Sequence, residues 1–304
     1  MKNDTGFLFL QEQLPSCGIE NETGLRMKSH SRPVTPLSAN ASSQEIAKRF
    51  VSARRNAAPL NEFPGEIPAD LNTAYSIQDF AISLWPGKVA GWKVGRIPPH
   101  LEDGFGIDRL AGPVFCDMIF FANSGDTVEM ATFEGGFAAI EAEYVAVIAH
   151  DAPPEKMTWS RAESGSMIDK VCIGIEIASS PLGTINELGP AVVVSDFGNN
   201  AGLIVGPPIG DWQSRKLESM QCSSYIDDTK VGDGGAFTLD GGLLRSVQFL
   251  LELKAQHGTP LRAGDVVATG QTTGIHDIEV GQVGRLDFGE DGVLNCVIVA
   301  ATAE

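Results

Sequence analysis

Cysteine, histidine and positive charge are all scarce in this chain, and each shortage closes off a class of function. The five cysteines among 304 residues are odd in number, scattered, and never spaced Cys-x-x-Cys. That pattern indicates neither a disulfide framework nor a thiolate zinc site. Cys116, Cys172 and Cys296 lie in apolar runs and read as small buried hydrophobes, so a reducing cytoplasm is the expected setting. Lysine and arginine number 22 against 39 aspartates and glutamates, a net charge of −17. So acidic a surface argues against nucleic acid and anionic membranes as partners. No apolar stretch approaches the length of a membrane span, and Phe7–Leu10 is too short for a signal-peptide core. None of the five histidines pairs with another at ligand spacing. The absence of a Gly-x-Ser-x-Gly elbow leaves serine-hydrolase chemistry without support.

What is present begins with two glutamates one residue apart, Glu141 and Glu143, in Ile-Glu-Ala-Glu-Tyr-Val-Ala-Val-Ile. The segment is crowded with β-formers and reads as a buried strand. Side chains at i and i+2 of a strand share a face, so both carboxylates converge on one spot. Two anions together in an apolar element are costly unless a cation or a proton neutralises them. A third acid, Glu176, sits in a similar apolar run from Val171 to Ala178. Three strand-borne carboxylates suggest an oxygen-ligand site for Mg²⁺ or Mn²⁺. The competing reading is a solvated face of a half-exposed sheet.

Along the chain, residues 1–41 mix Ser, Asn, Pro and Gly without periodicity and read as a disordered leader or an over-extended start. Residues 42–88 predict a helical N-terminal cap. One helix carries Ile46, Ala47 and Phe50 on a face behind Ser42 or Ser43, and a second follows Asp70 and stops before Pro86-Gly87. From residue 89 to 304 the texture is β-rich, with short runs such as Val89–Val94, Ala191–Val194 and Val266–Thr269. One clear helix interrupts it, where Leu243, Leu244, Val247, Leu250 and Leu251 share a face and Asp240 or Thr238 stands as cap. The chain therefore reads as α+β, mostly β, without the strand–helix alternation of a doubly wound fold.

Two other acids and bases stand in suggestive places. Gly91-Trp92-Lys93-Val94-Gly95 puts a lysine between apolar neighbours, where partial desolvation suits it to proton transfer; the plainer alternative is a snorkelling surface lysine. Phe115-Cys116-Asp117-Met118 places Asp117 in an apolar run, as a partner to a cation or as a turn acid. His100 and Asp103 fit one turn of a solvated helix.

Taken in order, these stretches resemble the 2-keto-4-pentenoate hydratase / 4-oxalocrotonate decarboxylase family of the fumarylacetoacetate hydrolase superfamily. The likeness runs from about residue 43 to the C-terminus and rests on Ala90–Gly95, Gly112–Met118, Ile140–Glu143, Gly174–Ile177 and Pro260–Gly270. It implies a rolled, mostly antiparallel mixed β-sheet with helices around it, in a homo-oligomer. It implies Mg²⁺ or Mn²⁺ held by Glu141, Glu143 and Glu176, catalysis by Lys93 and Asp117, and substrate contacts from Thr269, Gly270 and Gln271. The expected substrate is a small 2-oxo or 2-hydroxydienoic acid, hydrated to a 4-hydroxy-2-oxo acid through a metal-stabilised enolate. The alternatives are an oxalocrotonate-type decarboxylase, an acylpyruvate or fumarylacetoacetate-type C–C hydrolase, or a catalytically silent carboxylate-binding relative. Two segments depart from the hydratase pattern: Ser195–Gly202, and Gln271–His276, in which His276 reads either as a pocket group or as a loop histidine.

Overall fold

The computed structural model describes residues 39–303, which pack as a single unit. Residues 1–38 of the expected leader lie outside the described residues. Two helices come first. Helix α1 (Ala41–Arg55) is capped by Asn40, whose side chain accepts from the Ser43 amide at 2.8 Å, rather than by Ser42 or Ser43 as expected. Helix α2 (Leu71–Leu84) is capped by Asp70 in the same way.

The larger sheet runs in the order β2 (Arg109–Phe115), β1 (Val89–Arg96), β10 (Val266–Ala268), β5 (Phe137–Ile148), β6 (Ile168–Ser180), β7 (Asn200–Pro208), β3 (Ile119–Phe121), with β11 (His276–Asp277) beside β5. The smaller sheet is β4 (Thr127–Thr132), β13 (Val293–Ala300), β12 (Val283–Asp287), β8 (Gln221–Ile226), β9 (Thr229–Gly235). Most neighbours are antiparallel; β1–β10, β3–β7 and β4–β13 are parallel. The remaining helices are α3 (Pro99–Phe105), α4 (Arg161–Ser166), α5 (Pro190–Ser195) and α6 (Gly242–Gln256).

Strands β5 and β6 are long and buried on both faces. On one face, Ile140, Ala142, Tyr144 and Ala146 join the main core with Ile173, Ile175, Ile177 and the apolar stripe of α6. On the other, Val145 packs with Leu203, Val205, Val266 and Ala268. Glu141 and Glu143 share that second face, so the solvated-sheet reading does not hold. Helices α1 and α2 close one end of the molecule over Phe115, Leu182, Val192 and Phe197.

Two expectations from sequence fail locally. Ala191–Val194 is helical rather than extended: Pro190 at the first turn presets a helical φ, and the valines are packed against α2 and the main core, which overrides their β-propensity. Helix α6 is entered through Gly241 in the left-handed region (φ 71°), with no side-chain cap from Asp240 or Thr238.

Candidate metal centre

Cross-strand register assembles the centre. Glu141 pairs directly with Glu176 across β5 and β6, and Glu143 follows Glu141 by two residues on the same face. All three carboxylates are buried, and one oxygen from each lies within 4.8 Å of the others. Lys93 reaches the same point from β1, two strands away through β10; its Nζ stands 3.4 Å from Glu176 Oε1. Gly91, two residues before Lys93, is a packing requirement, since a Cβ there would meet Val266 on β10 at 2.4 Å.

Neighbouring groups hold part of the cluster. The Gly270 amide donates to Glu143 Oε2 at 2.7 Å, and the Asn200 side chain donates to Glu176 Oε1 at 3.1 Å. Glu143 Oε1 and Glu176 Oε2 are buried with no hydrogen-bond partner. With every group ionised the cluster sums to −3 + 1 = −2. Burial pushes the Glu141 carboxyl up to about 7, against the pull of Lys93 and with the help of Glu176. Burial, with the charges of Glu176 and Glu141, raises Glu143 well above the carboxylate range. For Lys93 burial acts downward, but Glu176, Glu141 and Glu143 outweigh it and the ammonium is favoured. Two orphaned anionic oxygens, a residual charge of −2 and an all-oxygen donor set fit a hard divalent cation held by Glu141, Glu143 and Glu176.

A cavity of about 210 Å³ opens beside Lys93 and Glu141, and Gln271 lines it. The other two expected substrate contacts, Thr269 and Gly270, line a second cavity of about 230 Å³ that shares Gly95, Arg96 and Gln271 with the first, and the Gly270 amide serves Glu143. The Thr269 hydroxyl donates to the Tyr144 carbonyl at 2.7 Å, tying the chain after β10 to β5. Asp117 is not brought to the centre. It is exposed in the turn after β2, where Cys116 N bonds Lys88 O, five residues along β1 from Lys93. At about 3.3 Å per residue that is roughly 16 Å from the Lys93 backbone. His276 is not a cavity group either; it pairs with Ile140 and packs against Gly232 and Thr273.

Sequence reasoning missed two asparagines in the departing segment 195–202. Asn200 orients Glu176, and Asn199 lines the cavity with its buried Oδ1 unpartnered. Phe197, Gly198 and Asn199 all take positive φ (53°, 65° and 65°). That strained run is pressed against β2, where a Cβ on Gly112 would meet the Phe197 carbonyl at 2.1 Å. It is held from behind by a buried ion pair, Arg54 Nε donating to Asp196 Oδ1 at 2.6 Å. The run of glycine and asparagine at 198–200 was the one signal available.

No family model matches the chain. Among curated proteins it is 24% identical over 259 residues to 2-keto-4-pentenoate hydratase 1 of Dechloromonas aromatica, covering 82% of this chain and 92% of that protein. It is 26% identical over 245 residues to a 2-keto-4-pentenoate hydratase of Burkholderia vietnamiensis, covering 77% and 88%. Among solved structures, 4-oxalocrotonate decarboxylase from Pseudomonas putida G7, complexed with magnesium and adipate, superposes with a TM-score of 0.70 at 19% identity, over 84% of this chain and 97% of that one. That likeness carries the fold, a mixed and mostly β architecture with few helices, as the sequence predicts. In sequence the chain is thus similar to 2-keto-4-pentenoate hydratases, and in fold to 4-oxalocrotonate decarboxylase, in line with the resemblance read from its motifs.

Proposed function

We propose that this chain is a divalent-metal-dependent lyase that hydrates a 2-hydroxy-2,4-dienoic acid to a 4-hydroxy-2-oxo acid. The observation that carries this reading is the buried, unsaturated carboxylate cluster with Lys93 at its edge, opening on a cavity. The hydratase names of the sequence relatives support it, and the calcium, magnesium and Mn²⁺ carried by the structural neighbours support a divalent cation, Mg²⁺ or Mn²⁺. Bound there, the cation supplies Lewis-acid stabilisation of negative charge on the substrate's adjacent carboxylate and 2-oxygen.

The chain's own groups do the rest. Lys93 faces the cavity as an ammonium held charged by the glutamates, placed to give a proton at C5. With those carboxylates engaged by a cation that hold would weaken, and the amine could take the proton from the 2-hydroxyl. The product of that transfer is an α,β-unsaturated 2-oxo acid, and water then adds at C4. Asn199, with an unpartnered amide oxygen in the cavity wall, is positioned to accept a hydrogen bond from the substrate hydroxyl or from the incoming water. Asp117 takes no part. Homo-oligomeric assembly and a cytoplasmic setting belong to the same proposal.

The test is ultraviolet loss of 2-hydroxypenta-2,4-dienoate with Mg²⁺ and, in parallel, with a chelator. Fast loss that needs the metal, with a product one water heavier, is expected. A product lighter by CO₂ from an oxalocrotonate-type substrate, with no hydration, would move the reaction to decarboxylation. Lys93→Met should bind Mg²⁺ as before and lose turnover by about 10²- to 10⁴-fold; undiminished turnover removes the lysine from the mechanism.

A further inference from the structure

We propose that the cavity beside the carboxylates selects an uncharged, apolar substrate tail: an alkyl-extended 2-oxo or 2-hydroxydienoic monocarboxylate, with the dicarboxylate of equal length disfavoured. This rests on the reading of the cluster as a metal centre that chelates a 2-oxo acid.

The cavity combines the polar groups of Lys93, Arg96, Glu141, Asn186, Asn199 and Gln271 with an apolar wall. Lys93 and Glu141 mark the chemical end, while Leu101, Leu110, Val193 and Ile275 form the wall that a tail would meet. Leu110 reaches this wall because its partner in the β1–β2 register is Gly95; a Cβ there would stand 3.3 Å from Leu110 Cδ1. Ile275 is a large apolar residue left 48% exposed at the cavity, surface that a tail would cover.

A second carboxylate would need a cation at the far end, and the nearby arginines are already matched. Arg96, which lines the cavity, has its Nη2 3.5 Å from Glu102 Oε1 and 3.3 Å from Asp240 Oδ2. Arg245 donates to Asp108 at 2.9 Å, and buried Arg109 is bonded to Asp108 and to the Asp240 carbonyl. Three guanidinium groups thus face the three carboxylates of Glu102, Asp108 and Asp240. Desolvating a free carboxylate against a Leu/Val/Ile wall, with no spare cation, is unfavourable, whereas each buried methylene improves binding by about fourfold.

The experiment is calorimetric binding of three stable 2-oxo acids to the full chain with saturating Mg²⁺: pyruvate, 2-oxohexanoate and 2-oxoadipate. Binding reads the tail without turnover. The expected result is 2-oxohexanoate tighter than pyruvate by at least about tenfold, with 2-oxoadipate no tighter than pyruvate. Ile275→Ser, a half-exposed position that leaves the core intact, should cut the hexanoate-to-pyruvate ratio by about three- to tenfold. Equal affinities, or tighter 2-oxoadipate whose advantage vanishes in Arg96→Gln, overturn the tail assignment and leave the metal-chelate reading standing. No Mg²⁺-dependent binding by any of the three overturns both.

Discussion

Two buried ionic centres lie within reach of a single residue, and they are built on opposite principles. Around Arg54 every demand is met. Its guanidinium donates to both Asp196 oxygens, to the Asn200 carbonyl and to the Ser179 carbonyl, and Ser180 completes Asp196 with a bond of 2.6 Å. One cation faces one anion, and both side chains are almost fully buried. Around Glu176 the demands are left open, with three carboxylates against one lysine and two oxygens unpartnered. Asn200 belongs to both, its carbonyl on Arg54 and its amide on Glu176. A saturated buried pair fixes geometry. An unsaturated one leaves oxygens open to a cation.

The comparison breaks most sharply if the open centre is damaged without functional loss. Glu176→Ala should remove calorimetric Mg²⁺ binding and lower kcat/KM by at least about 10³-fold, the scale of several kcal/mol of lost charge stabilisation. The metal-free fold should survive, because a repelling buried charge is gone. Metal affinity should also weaken as pH falls below about 7, where Glu141 holds a proton that the cation must displace. The sign for the metal-free protein is the reverse. Its Glu141 value is raised from 4.5, so folding stability declines as pH climbs from about 4.5 towards 7, and saturating Mg²⁺ should abolish that slope.

Arg54→Met is the mirror experiment. It leaves Asp196 buried and unpaired, and should cost about 3–5 kcal/mol in chemical denaturation; a loss under 1 kcal/mol would mean that the pair is not the brace it resembles. The smallest effect is expected at the shared residue. Asn200→Ala should weaken Mg²⁺ by about 10- to 100-fold, the usual range for a group that orients a ligand, with stability falling far less than in Arg54→Met.

The open centre was largely legible in the sequence and the closed one was not. Period-two spacing places Glu141 and Glu143 on one face without further knowledge, and the glycine-flanked strand marks Lys93. Glu176 needs the β5–β6 register, which no local pattern supplies. Asp117 misleads because an acid in an apolar run does not say at which end of β1 its turn will sit. Arg54 and Asp196 are 142 residues apart, and a pair at that separation leaves no periodic trace. Ala191–Val194 shows the same limit at the level of elements, since three valines favour a strand until Pro190 and the surrounding core decide otherwise.

Strand order has a consequence for how the chain comes into being. Strand β10 is only three residues long, yet it is the seam that joins β1 to β5 and so brings Lys93 to the glutamates. Its partner in β1 precedes it by 175 residues, from Gly91 to Val266. During synthesis the two halves of the larger sheet must therefore wait with unpaired edges until residues 266–268 emerge, a late and non-local closure. A nascent chain holds all three glutamates long before it holds the lysine beside them, and a cation arriving early would meet the acids without the base.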